Sequence, residues 1–149
     1  MLKTRIDQDL KTALLAGDKV LATTLRGLKS AVLYEEVAKG VRDAGLPDDE
    51  IITLFAKEAK KRQESADLFT QGGNTERAAA ELVEKKVIEG YLPQQLSDDE
   101  LVLIVDEAVE QLTATGPQAM GQVIGAVKQK VGASADGGRI AKFVRERLK

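Results

Sequence analysis

Apolar residues recur three and four positions apart almost without interruption from Leu2 to Leu148, and this spacing leaves room for helices only. Leu2, Ile6, Leu10 and Leu14 step by four and predict a first helix. Gly17 ends it and Asp18 is placed to cap the next. Leu21, Leu25, Leu28 and Val32 stripe a second helix that runs to about Lys39. Gly45 and Pro47 mark a loop. Asp48, Asp49 and Glu50 then open a third helix, where the macrodipole favours negative charge. Its apolar side is Ile52, Phe55, Ala59, Ala66 and Phe69. Gly72-Gly73 stops it, and Asn74 or Thr75 caps a fourth helix with Leu82, Val83, Val87 and Tyr91 along one side.

Pro93 breaks the pattern. Ser97-Asp-Asp-Glu100 is a capping box, in which the Ser hydroxyl accepts from the N3 amide and the Glu side chain reaches back. Leu101, Ile104, Val105, Ala108 and Leu112 follow on a fifth helix. Gly116-Pro117 ends one helix and starts another. Met120, Val123, Ile124, Val127 and Val131 form the sixth, closed by Gly132. Asp136 is placed to cap a seventh with Ile140, Phe143, Val144 and Leu148. No strand-length alternation stands out, so no sheet is expected. The fold expected is all-α, with a four-helix subdomain over 1–92 followed by a three-helix bundle over 97–149.

Aromatics are only 3% of the 149 residues, so the core must come from Leu, Ile, Val and Ala, and stacking of exposed bases is a poor binding mode. There is no cysteine and no histidine. Thiolate chemistry, disulfides and the commonest general base and metal ligand are therefore excluded. Ser30, Ser65, Ser97 and Ser134 have no histidine partner, and no catalytic residue is assigned. Ser65 follows Lys61 by four, but a Ser–Lys nucleophile needs a pocket and an oxyanion hole that nothing here predicts. No metal, cofactor or membrane span is expected, and the N-terminus lacks the apolar run of a signal peptide, which suits a cytoplasmic protein.

Net charge is -2, but it is unevenly spread. Residues 93–116 hold six acids and no base, while residues 117–149 hold seven bases and two acids. In the acidic fifth helix, Asp106 and Glu110 lie one turn apart and can share a cation. The spacing matches no metal-loop signature, and a solvated helix face accounts for it. Of the basic stretch Lys57, Lys60, Lys61 and Arg62 on the third helix, Lys57 and Lys61 can meet phosphates and Lys60 can pair with Glu64, while a solvent face with local ion pairs accounts for it too. Gly121 and Gly125 share one face of a helix at a cost of about 1 kcal/mol each, which a close helix crossing or a ligand's close approach can offset. The turn Gly132–Arg139 opens a helix, whose N-terminal amides are a natural phosphate seat. It is not a P-loop, and a plain capped turn explains it too. Arg139 sits in the first turn, where a cation is disfavoured unless an anion is near. Lys142, Arg145, Arg147 and Lys149 extend the basic surface.

Four stretches taken together point to a family. They are Leu25-Arg-Gly-Leu-Lys-Ser-Ala31, Lys61-Arg-Gln-Glu-Ser-Ala-Asp-Leu-Phe69, Glu89-Gly-Tyr-Leu-Pro-Gln-Gln-Leu-Ser97, and Met120-Gly-Gln-Val-Ile with Ala135-Asp-Gly-Gly-Arg-Ile140. In this order they resemble the GatB/YqeY family, and specifically its stand-alone YqeY-like proteins. Tyr91-Leu-Pro-Gln-Gln-Leu-Ser97 is the most specific string. Ile124 stands where a Met is common, a volume-conserving change. The resemblance implies two helical subdomains, the second similar to the tail of the B subunit of glutamine-dependent aminoacyl-tRNA amidotransferase. That tail helps hold tRNA while the chemistry lies elsewhere. The family label, carbon–nitrogen ligase with glutamine as amido-N-donor, belongs to a catalytic core these residues lack. The function expected is a tRNA-associated accessory protein, with a protein–protein adaptor on a translation or amidotransferase component as the alternative. The residues expected to meet RNA are Ser134, Gly137, Gly138, Arg139, Lys142 and Arg145.

Overall fold

The computed structural model describes all 149 residues, as seven α-helices with two short 3-10 turns and no strand. The chain divides into two compact units, Met1–Leu92 and Pro93–Lys149.

The N-terminal unit holds α1 (Leu2–Ala16), α2 (Lys19–Lys39), α3 (Asp48–Gln71) and α4 (Thr75–Glu89). Gly17 terminates α1 at φ 73°, the left-handed geometry that closes a helix at little cost to glycine. The Asp18 carboxylate then accepts from the Leu21 amide at 3.1 Å, and Asn74 accepts from Arg77 in the same way. Ile6, Leu25, Leu28, Ile51, Phe55 and Ile88 form the buried centre of the core.

Three faces differ from those expected. On α1, Ala13 is buried and Leu14 is half exposed. On α3, Ile51 enters the core while Ile52 stays at its edge. On α4, Leu82 and Val83 are exposed, and Ala78 and Ile88 are buried instead. The α3–α4 hairpin explains the last case. Ala59, Ala66 and Ala78 are buried along it, and between them Arg62 contacts Glu58 at 3.1 Å, Glu84 at 3.6 Å and Glu81 at 3.9 Å. The charged side of α4 therefore faces α3, and Leu82 and Val83 turn to solvent. Lys61 pairs with Glu58 on the same helix; the expected Lys60–Glu64 pair does not form.

The C-terminal unit holds α5 (Asp98–Gln111), α6 (Met120–Val131) and α7 (Gly137–Arg147). The Ser97–Glu100 capping box forms in full. Leu101, Val105, Val123, Val127, Ile140 and Val144 are fully buried and come two from each helix. Helix α5 ends earlier than the Gly116-Pro117 signal, at Gln111, with Thr113 at φ 46°. Pro117–Ala119 is a 3-10 turn that leads into α6. Gly121 and Gly125 support no close crossing: a Cβ at either would meet nothing within 4 Å.

Candidate functional site

The acidic and basic stretches of the C-terminal unit meet as neighbouring helices. Glu107 of α5 pairs with Lys130 of α6 at 2.9 Å. Asp98 pairs with Arg139 at 2.7 Å, and Asp106 with Arg147. The shared-cation arrangement of Asp106 and Glu110 thus gives way to an ion pair between helices.

Arg139 donates to the Leu96 carbonyl at 2.9 Å as well as to Asp98. The anion that its place in the first turn of α7 calls for is supplied by this chain. The neighbouring backbone completes a fastener: the Leu96 amide donates to the Ser134 carbonyl at 2.8 Å, and Gln95 Nε2 to the Ala133 carbonyl at 2.9 Å. The Pro-Gln-Gln-Leu-Ser string and the Ser-Ala-Asp-Gly-Gly-Arg string are therefore one structural element. Arg139 and Ser134 hold it together, which leaves Arg139 little freedom to bind a ligand.

Gly137 and Gly138 occupy the first turn of α7. Asp136 stands at the N-cap position but makes no side-chain cap bond, contrary to expectation. The first amides of the helix are left without a cap. Lys128, not anticipated from the sequence, lies beside them. A Cβ built on Gly137 would stand 3.4 Å from its Cε and 3.5 Å from its Nζ. The only signal for this was the shortness of the turn that joins the last turn of α6 to the first of α7.

Lys142 and Arg145 are exposed and make no ion pair, and Lys142 Nζ lies 5.5 Å from the Phe143 ring centroid. Gly138, Lys142 and Arg145 succeed one another at four and three residues, so they share the side of α7 opposite the buried Ile140 and Val144. Of the six residues expected to meet RNA, Gly138, Lys142 and Arg145 come together on this stripe, with Gly137 at its head. Arg139 and Ser134 belong to the fastener.

The chain matches the family described as YqeY-like protein over residues 3–148. It belongs to that family. It is similar to altered inheritance of mitochondria protein 41, mitochondrial, of Eremothecium gossypii, with 30% identity over 74% of this chain and 60% of the relative. The protein of the same name from Lachancea thermotolerans is 27% identical over 75% of this chain and 60% of its own length. The E subunit of the glutamyl-tRNA(Gln) amidotransferase of Thermococcus gammatolerans is 28% identical over 96% of this chain, but only 22% of that relative is covered. The chain therefore spans about 60% of the length of these fungal relatives and 22% of the amidotransferase subunit. The amidotransferase relative is an E subunit, whereas the motifs pointed to the tail of a B subunit. The fungal relatives carry "mitochondrial" in their names, so the expected cytoplasmic location is not a feature they share. No helix is long and apolar enough to cross a membrane.

Proposed function

We propose that this YqeY-like protein is a non-catalytic accessory that binds tRNA through its C-terminal unit, in the manner of a tail domain without an attached enzyme. The observation that carries this reading is the pair Lys142 and Arg145 on one side of α7, with Lys149 just past the end of the helix. These cations and Lys128 remain unpaired, whereas the unit's other three bases, Lys130, Arg139 and Arg147, each hold an acid. The uncapped amides of Gly137 and Gly138, with Lys128 against them, extend the stripe with further donors for phosphate. The similarity to a protein named as part of a glutamyl-tRNA(Gln) amidotransferase supports tRNA as the nucleic acid. A few phosphate contacts of this kind bind weakly and without sequence preference, with dissociation constants of about 10⁻⁴–10⁻⁶ M at physiological salt.

The test is tRNA binding across a salt series. Lys142→Glu with Arg145→Glu weakens binding and flattens the salt slope, with helicity unchanged. Arg139→Glu is a poor probe because it also breaks the fastener. Lys57→Glu with Lys61→Glu, on the other unit, leaves binding intact. The reading fails if the α7 pair is silent while the α3 pair abolishes binding. It also fails if the wild-type chain leaves tRNA unbound at low salt, and the protein-adaptor reading then takes its place.

A further inference from the structure

Helices α1 and α2 of the N-terminal unit enclose a trough of about 570 Å³ that no segment of the unit fills. Its α1 wall is Lys3, Ile6, Asp7 and Leu10, spaced i, i+3, i+4, i+7. Its α2 wall is Arg26, Lys29, Ser30 and Leu33, spaced the same way. Two parallel stripes of this spacing form the kind of groove that seats a third helix.

The floor is apolar. Ile6 and Val32 are buried, and Leu33 lies 44% exposed with nothing over it. Val37, one turn further along α2, continues the apolar edge at 58% exposure. The charges are asymmetric. Asp7 pairs with Lys29 at 2.7 Å, and Glu36 pairs with Lys3 at 2.8 Å, so both acids of the trough are already neutralised. Arg26 makes neither an ion pair nor a hydrogen bond, and the uncompensated charge is positive.

We propose that this trough receives an amphipathic helix of a partner protein, with an apolar edge on Leu10 and Leu33 and a carboxylate on its flank for Arg26. The site lies wholly within the N-terminal unit and does not depend on the RNA reading. The alternatives fit less well. A polyphosphate backbone would meet Asp7 and an apolar floor with a single free cation. A small molecule needs enclosure over most of its surface, whereas Lys3, Asp7 and Lys29 on the rims are about half exposed. The most acidic helix of a second copy, α5, is not free to enter the trough, since Leu101 and Val105 of its apolar edge are buried in its own core.

The experiment titrates the full ¹⁵N-labelled chain with a synthetic helix that carries leucines at i, i+3, i+4 and i+7 and glutamates on both flanks. A second peptide has lysine at every glutamate. The glutamate peptide shifts the amides of Leu10, Ser30 and Leu33, and the lysine peptide binds at least fivefold more weakly, about the factor one favourable surface ion pair supplies. Arg26→Glu weakens the glutamate peptide about fivefold, and Leu33→Glu abolishes its binding. Both residues are exposed, and circular dichroism of each variant matches wild type. The proposal is overturned if the two peptides bind alike, if neither shifts these amides, or if both substitutions leave affinity unchanged. It is also overturned if sedimentation shows a wild-type dimer that Leu33→Glu dissociates, which assigns the trough to a second copy.

Discussion

In the N-terminal unit one arginine, Arg62, stands among three glutamates of a single helix pair, whereas in the C-terminal unit three cations each hold one acid across three helices. The first arrangement lets α4 lie against α3 with alanines and charges in place of large apolar residues. The second makes α5 acidic because both of its neighbours are basic, so a charge imbalance that is strong along the chain is largely cancelled in space. Partly exposed ion pairs contribute only about 0–1 kcal/mol each. The pairs therefore set which helix faces which, and the cores set how firmly each unit holds.

The largest effect that tests this contrast is loss of core volume. Leu101→Ala and Leu28→Ala each remove a fully buried leucine and cost about 2–5 kcal/mol. At about 0.05–0.15 kcal/mol per residue, the smaller unit has less stability to lose. Leu101→Ala is expected to collapse the amide dispersion of residues 93–149 in NMR spectra while residues 1–92 keep theirs. Leu28→Ala lowers the melting temperature of its unit without unfolding it at 25 °C. Simultaneous loss of both sets of signals in Leu101→Ala would show one cooperative block instead of two.

A smaller effect belongs to the N-terminal unit alone. Glu36 is buried and accepts from the Leu46 amide at 2.9 Å and from Lys3 at 2.8 Å. The hydrogen bond from Lys3 is the main cause that holds its carboxyl below the ordinary value of 4.5; burial opposes it, and the Leu46 amide adds to the lowering. Glu36→Ala leaves that amide without a partner, at a cost of about 1–3 kcal/mol. A depressed native value means the ionised form is the one that folding favours. The advantage of wild type over Glu36→Gln is therefore complete above pH 4.5 and shrinks as pH falls through the lowered native value. A melting-temperature difference that stays constant down to pH 3 would refute this.

The C-terminal counterpart is the fastener. A fragment that begins at Pro93 keeps the bonds of Gln95 and Leu96 to Ala133, Ser134 and Arg139, and one that begins at Ser97 loses all of them. The longer fragment is expected to be more stable by about 1–2 kcal/mol in urea denaturation. Equal midpoints would reduce the fastener to a surface contact.

The smallest effect has the opposite sign. Gly121→Ala and Gly125→Ala fill open space on a helix and should each stabilise the C-terminal unit by about 1 kcal/mol. A rise in melting temperature with a fall in tRNA affinity would place this bare strip in the RNA interface.

What was legible in the sequence divides along the same line as the chemistry. Caps and breaks are local, so Gly17, Asp18, Asn74 and the Ser97–Glu100 box could be read directly. The C-terminal faces were legible because each helix buries a full apolar stripe. The face of α4 was not, because its partner is the Arg62 cluster and apolar spacing carries no trace of it. Of the candidate site, the exposed Lys142 and Arg145 could be placed by period alone. The role of Arg139 could not, since its partners Leu96 and Asp98 lie 43 and 41 residues away. Lys128 was missed because its place beside Gly137 depends on how a short turn folds back.

Tyr91 gives the order in which the chain can fold during synthesis. Its hydroxyl donates to Asp9 at 2.5 Å across 82 residues, its ring meets Phe55 edge-on at 6.0 Å, and Arg5 covers it at 4.5 Å. The N-terminal unit is thus closed by its own last residues, and contacts of such long range are slow to form. At about 5–20 residues per second, the first helices wait several seconds for Ile88 and Tyr91 to leave the ribosome. Throughout that wait Ile6, Leu28 and Phe55 lack the side chains that complete their core, so a nascent chain stalled before Tyr91 presents an unfinished core to chaperones and proteases.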